Sequence, residues 1–188
     1  MNASLPWRAP VTVALVGLMG AGKSSIGRRL GQVLGLPFTD ADAEIEAAAG
    51  ASIEEIFARD GEATFRNGER RVIARLLDGP PQVLATGGGA FMDPSTRALL
   101  RQRAISIWLR ADLETLLTRV ARRGNRPLLK TGDPRAVLTR LMAERYPIYA
   151  EADITVDTVD GPPEATLTKA IEGLQQHLRA TAQAGAGS

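Results

Sequence analysis

Cysteine is absent from the 188 residues, which excludes a disulfide framework, a thiolate metal site and a cysteine nucleophile. That composition suits a reducing cytoplasm, the expected location. Aromatic residues are scarce, at 4%, and the arginines are scattered among acids. No nucleic-acid partner is expected, since such a surface wants base-stacking aromatics set in a basic face. No apolar run approaches the length of a membrane span. The N-terminus, Met1-Asn2-Ala3-Ser4-Leu5-Pro6-Trp7-Arg8, lacks the long apolar core of a signal peptide, and no membrane partner is expected. The single histidine, His177, stands among Gln175, Gln176 and Arg179 and reads as a surface residue. What remains is the balance of one soluble globular domain, 44% hydrophobic and 23% charged. A net charge of +2 fits a small anionic ligand.

The chain is organised around Gly17-Leu18-Met19-Gly20-Ala21-Gly22-Lys23-Ser24-Ser25, which fits the pattern Gly-x4-Gly-Lys-Ser/Thr. Before it runs Val11-Thr12-Val13-Ala14-Leu15-Val16, apolar, β-branched and of strand length. After it Ile26, Leu30, Val33 and Leu34 recur at helical spacing. Strand, glycine loop and helix in that order make a phosphate cradle. Gly20, Ala21, Gly22, Lys23, Ser24 and Ser25 then turn backbone N–H groups, a helix N-terminus and an ammonium toward one anion. Lys23 can reach the β- and γ-phosphates of a nucleoside triphosphate, and the Ser24 hydroxyl can ligate Mg²⁺. The expected cofactors are ATP and Mg²⁺.

Further along, strands and helices alternate with short connections. The spacing predicts strands at Pro37–Thr39, Gln82–Ala85, Ala104–Leu109 and Ala152–Val156. Ser52 with Glu55 reads as a capping box, Gly61 as a break before a helix from Glu62 to Leu77, and Pro94 and Asp112 as helix starts. Pro134 opens a helix reaching Tyr146, and a closing helix ends near Arg179. Residues 1–10 read as an arm, 11–179 as a single domain and 180–188 as a disordered tail. Such alternation implies an α/β fold with a parallel sheet and helices on both faces. Ligands of these sheets sit beyond the carboxyl ends of the strands.

That rule gathers several candidates at one edge. Asp40 and Asp42, alternating at a strand end, can face the same way. One carboxylate can hold Mg²⁺ through water and the other can accept a proton from a substrate hydroxyl, unless both are simply helix caps. Gly87, Gly88 and Gly89 offer bare backbone to a ligand, or form a flexible turn. Arg66 and Arg145 can each make forked hydrogen bonds to a carboxylate, although a single helical arginine is usually solvated. The segment 122–133 is basic and loop-like, fit for a lid.

Asp40-Ala41-Asp42 with Ile45-Glu46, Ile53-Glu54-Glu55-Ile56-Phe57, Gly61-Glu62-Ala63-Thr64-Phe65-Arg66 with Glu69, Thr86-Gly87-Gly88-Gly89, Arg126-Pro127-Leu128-Leu129, and Arg145 with Pro147 and Tyr149 resemble the shikimate kinases, in family order over residues 11–158. The resemblance implies a P-loop NTPase fold with five parallel strands in the order 2-3-1-4-5, a monomer, and a mobile lid. It implies transfer of the γ-phosphoryl of ATP to the 3-hydroxyl of shikimate, in aromatic amino-acid (chorismate) biosynthesis. By the same resemblance Asp42, Arg66, Gly87, Gly88, Gly89 and Arg145 would hold shikimate. Lys23, Asp42 and Arg126 would be catalytic, Lys23 and Arg126 would hold the phosphates, Ser24 and Asp40 would serve the metal, and Arg122 would face the adenine. The competing readings are a gluconate or nucleoside-monophosphate kinase, a GTP-dependent switch and a non-catalytic sensor. The chain has no Asn-Lys-x-Asp to read guanine.

Overall fold

The computed structural model describes residues 11–123 and 132–186. The expected N-terminal arm, the middle of the basic segment with Arg126, and the last two residues lie outside the described residues. Strand β1 (Thr12–Val16) is buried along its whole length. Since alternate side chains point to opposite faces, both faces of the sheet must be covered, which explains the unbroken apolar run. On one side β1 pairs with β3 (Val83–Ala85), and β3 with β2 (Phe38–Asp40). On the other it pairs with β4 (Ala104–Arg110), and β4 with β5 (Ile154–Asp157). Every pairing is parallel, and the five strands run β2-β3-β1-β4-β5. This is the order the family resemblance implies.

Register builds the functional edge. Leu15 of β1 is level with Ala85 of β3, which is level with Asp40 of β2. The segments that follow these three residues therefore leave the sheet side by side. The Thr86 hydroxyl donates to the Leu15 carbonyl at 3.0 Å and ties two of them together.

Helix α1 (Lys23–Leu34) follows the glycine loop and buries Ile26 and Leu30. Helix α2 (Ala41–Ala49) begins directly after β2, with the Asp40 side chain capping it through the Asp42 N–H. Asp42 thus stands in the first turn of a helix rather than on a strand. Helix α3 (Ile53–Asp78) starts at the Ser52–Glu55 capping box. The break expected at Gly61 is a kink: that residue alone leaves helical geometry, at φ 80° and ψ 171°, and the helix resumes at once. Ile45, Ile56, Phe65 and Val72 form a small apolar cluster of their own beneath α2 and α3, apart from the main core.

Helices α4 (Pro94–Arg103), α5 (Leu113–Arg123), α6 (Pro134–Tyr149) and α7 (Pro163–Ala186) complete the domain. Helix α7 runs to Ala186, past the end near Arg179 that the spacing predicts. Alanines at 180, 182 and 184 are the strongest helix formers, and the Thr181 hydroxyl donates back to the His177 carbonyl at 3.1 Å. Among the described residues no helix is long and apolar enough to cross a membrane.

Candidate active site

Between β1 and α1 the chain takes positive φ at Gly17, Gly20 and Gly22, values closed to most side chains. The Lys23 ammonium folds back over this loop and donates to the carbonyls of Gly17 (2.7 Å) and Leu18 (2.9 Å). The Ser24 hydroxyl donates to Asp40 Oδ2 at 3.1 Å, while Oδ1 of the same carboxylate receives the Asp42 N–H at 3.0 Å. Asp40 is therefore both a helix cap and the partner of the phosphate-loop serine. Among the described residues no three acidic, histidine or cysteine side chains cluster as a metal cage. A hydroxyl beside one carboxylate is nevertheless the usual protein share of a Mg²⁺ site, the remaining ligands being phosphate and water.

Two cavities abut at this edge. One, of about 280 Å³, is lined by Gly20, Gly22, Lys23, Ser24 and Asp40. The other, of about 230 Å³, is lined by Ile53, Phe57, Phe65, Arg66, Glu69 and Arg145. Met19, Asp42, Gly87 and Gly88 line both. Asp42 is the carboxylate on the boundary.

The three glycines after β3 each receive a different polar group. A Cβ on Gly87 would lie 2.7 Å from Asp42 Oδ1 and 3.1 Å from Glu69 Oε1. On Gly88 it would lie 3.2 Å from Arg145 Nη1, and on Gly89 2.3 Å from Arg66 Nη2. Bare backbone is thus what lets two carboxylates and two guanidiniums converge on one loop. Arg66 also donates to Glu69 Oε2 at 2.8 Å. Glu69 is only 3% exposed, and burial raises its pKa, with Arg66 opposing and the Asp42 and Asp93 charges reinforcing the rise.

A third cavity, of about 200 Å³, opens on the other side of the phosphate loop between Ala21, Ser25, Arg119, Arg122 and Pro163. Arg122 reaches it, paired with Asp160 at 3.1 Å. Arg119 is more deeply engaged. It donates to the Ala21 carbonyl at 3.0 Å and to the Thr158 hydroxyl at 3.1 Å, joining the loop to the turn after β5.

The structure thus brings together the candidates Gly20, Ala21, Gly22, Lys23, Ser24, Ser25, Asp40, Asp42, Arg66, Gly87, Gly88, Gly89 and Arg145. Sequence reasoning assigned no role to Glu69, Tyr149 or Arg119. Each stands three or four residues from an arginine it did single out, on the same helix, and that spacing was the available signal.

A parallel 2-3-1-4-5 sheet whose central strand feeds this glycine loop defines a P-loop NTPase fold. The sequence model of the family described as shikimate kinase matches residues 19–175. The chain belongs to the shikimate kinase family. It is 64% identical over 167 residues to the shikimate kinase of Paramagnetospirillum magneticum, covering 89% of this chain and 86% of that protein. It is 60% identical over 171 residues to that of Caulobacter vibrioides, covering 91% and 85%. The structure of shikimate kinase from Acinetobacter baumannii in complex with shikimate superposes with a TM-score of 0.82 at 41% identity, over 90% of this chain and 94% of the other. The chain is accordingly a kinase that takes ATP as a substrate and phosphorylates shikimate.

Proposed function

We propose that the phosphoryl group passes from ATP to the 3-hydroxyl of shikimate across the boundary between the two abutting cavities. The observation that carries this reading is the position of Asp42, which lines both. Gly20, Ala21, Gly22, Ser24 and Ser25 cradle the phosphates through backbone N–H groups, and Lys23 gives up its carbonyl contacts to meet the β- and γ-phosphates. Ser24, with Asp40 behind it, holds Mg²⁺. The ion, when bound, offsets charge on the transferring group. Arg66 and Arg145, set against Gly89 and Gly88 of the same loop, grip the shikimate carboxylate with planar forks that lysine lacks. Asp42 orients the reacting hydroxyl and accepts its proton. The cavity between Arg119, Arg122 and Pro163 takes the adenine, a flat ring suited to guanidinium stacking.

The cysteine-free composition supports a cytoplasmic enzyme. The expected monomer would sediment near 20.0 kDa. ADP release with ATP and Mg²⁺, measured with shikimate, gluconate or a nucleoside monophosphate, tests the reading. Release that depends on shikimate supports it, and release driven by one of the other acceptors in its place contradicts it.

A further inference from the structure

Tyr149 ends α6, one turn beyond Arg145, and is fully buried at 0% exposure. Its ring packs among Phe91, Trp108 and Tyr146. Its hydroxyl lies between two parts of the acceptor cavity, donating to the Gly88 carbonyl oxygen and facing the Arg145 guanidinium. Gly88 closes the triangle. A Cβ there would lie 3.2 Å from Arg145 Nη1 and 3.8 Å from the Tyr149 hydroxyl oxygen. Tyr146, in the same aromatic cluster, sends its hydroxyl elsewhere, to the Ala111 carbonyl.

We propose that Tyr149 is a positioning residue for the acceptor: its hydroxyl locks the Arg145 guanidinium and the Gly88 carbonyl into one fixed relation. The proposal rests on the assignment of Arg145 to the shikimate carboxylate. A long arginine side chain loses much conformational freedom when it binds an anion, and ordering it beforehand removes that cost from binding. The tyrosine suits the task because its ring is fixed by three aromatic neighbours and only the hydroxyl faces the cavity groups. Burial raises its pKa to about 12, so the hydroxyl remains a donor to Gly88 at neutral pH.

The test is steady-state kinetics of Tyr149→Phe, which keeps the ring and deletes the hydroxyl. The shikimate KM should rise about ten-fold, the worth of one hydrogen bond to a charged group, with the ATP KM within about two-fold of wild type. Tyr146→Phe is the control. It deletes a hydroxyl that also donates to a backbone carbonyl, from a half-buried tyrosine of the same cluster, so it should leave both KM values in place. In an Arg145→Ala background, Tyr149→Phe should change the shikimate KM by no more than about two-fold, since the group it positions is gone. An unchanged shikimate KM in Tyr149→Phe, an equal rise in Tyr146→Phe, or a full ten-fold effect persisting without Arg145 would each overturn the proposal. Arg145→Ala alone separates the two levels of inference. If it leaves the shikimate KM unchanged, the assignment of Arg145 fails. If it raises the KM while Tyr149→Phe does not, only the positioning role fails.

Discussion

Arg66 and Glu69 form an ion pair at 2.8 Å on the wall of the acceptor cavity, and Glu69 is the one charged residue that is buried among the described residues. The pair has a cost as well as a use. Burial raises the Glu69 pKa despite the arginine, because desolvation of the carboxylate outweighs the attraction.

The sign of the pH dependence follows. A carboxyl whose folded pKa lies above its unfolded value favours the folded state most while protonated, and this contribution fades as pH rises through the folded pKa. Glu69→Gln imitates the protonated form at every pH. Its melting temperature relative to wild type should therefore climb from about pH 4, the usual glutamate range, toward neutrality. A difference that is flat or falls with pH would mean that burial does not dominate at this carboxylate.

Asp42 lines both cavities and is the proposed partner of the reacting hydroxyl, and Asp42→Asn preserves its shape. Turnover should fall by roughly 10²–10⁴-fold, the usual worth of a general base, while ATP binding and the melting temperature hold. Turnover within a few fold of wild type would remove Asp42 from the mechanism.

Gly89→Ala offers a purely steric test. The new Cβ would meet the Arg66 guanidinium at 2.3 Å, while the backbone there, at φ −92° and ψ −11°, accepts alanine without strain. The obstructed group is the far end of a flexible side chain, so the fold should tolerate the change. The shikimate KM should rise and the ATP KM should not. Unaltered kinetics would show that Arg66 need not lie against this loop.

Legibility in the sequence followed the range of the interactions. The phosphate loop was readable because strand, glycines and helix are contiguous, and the Ser52–Glu55 capping box because it spans one turn. Asp40 stands at the strand end expected of it and caps the next helix, but Asp42 does not alternate with it along the strand, since α2 begins one residue after Asp40 and carries Asp42 on its first turn. Glu69 and Arg119 were assigned no role for a tertiary reason. An acid three residues from an arginine on a helix ordinarily marks a solvated face, and only the packing of α3 over the Gly87–Gly89 loop buries this one. The family resemblance supplied the strand order, which local pattern alone did not contain.

The account stands on the location of the acceptor, and the most direct measurement is the pair of KM values, for shikimate and for ATP, in Arg66→Ala and Arg145→Ala. Each truncation leaves a desolvated carboxylate short of a partner and should weaken shikimate by roughly 2–5 kcal/mol. Lysine at either position should restore only part of the loss. ATP should bind both variants as it binds wild type. An unchanged shikimate KM in both variants would contradict the account and place the acceptor elsewhere on the protein.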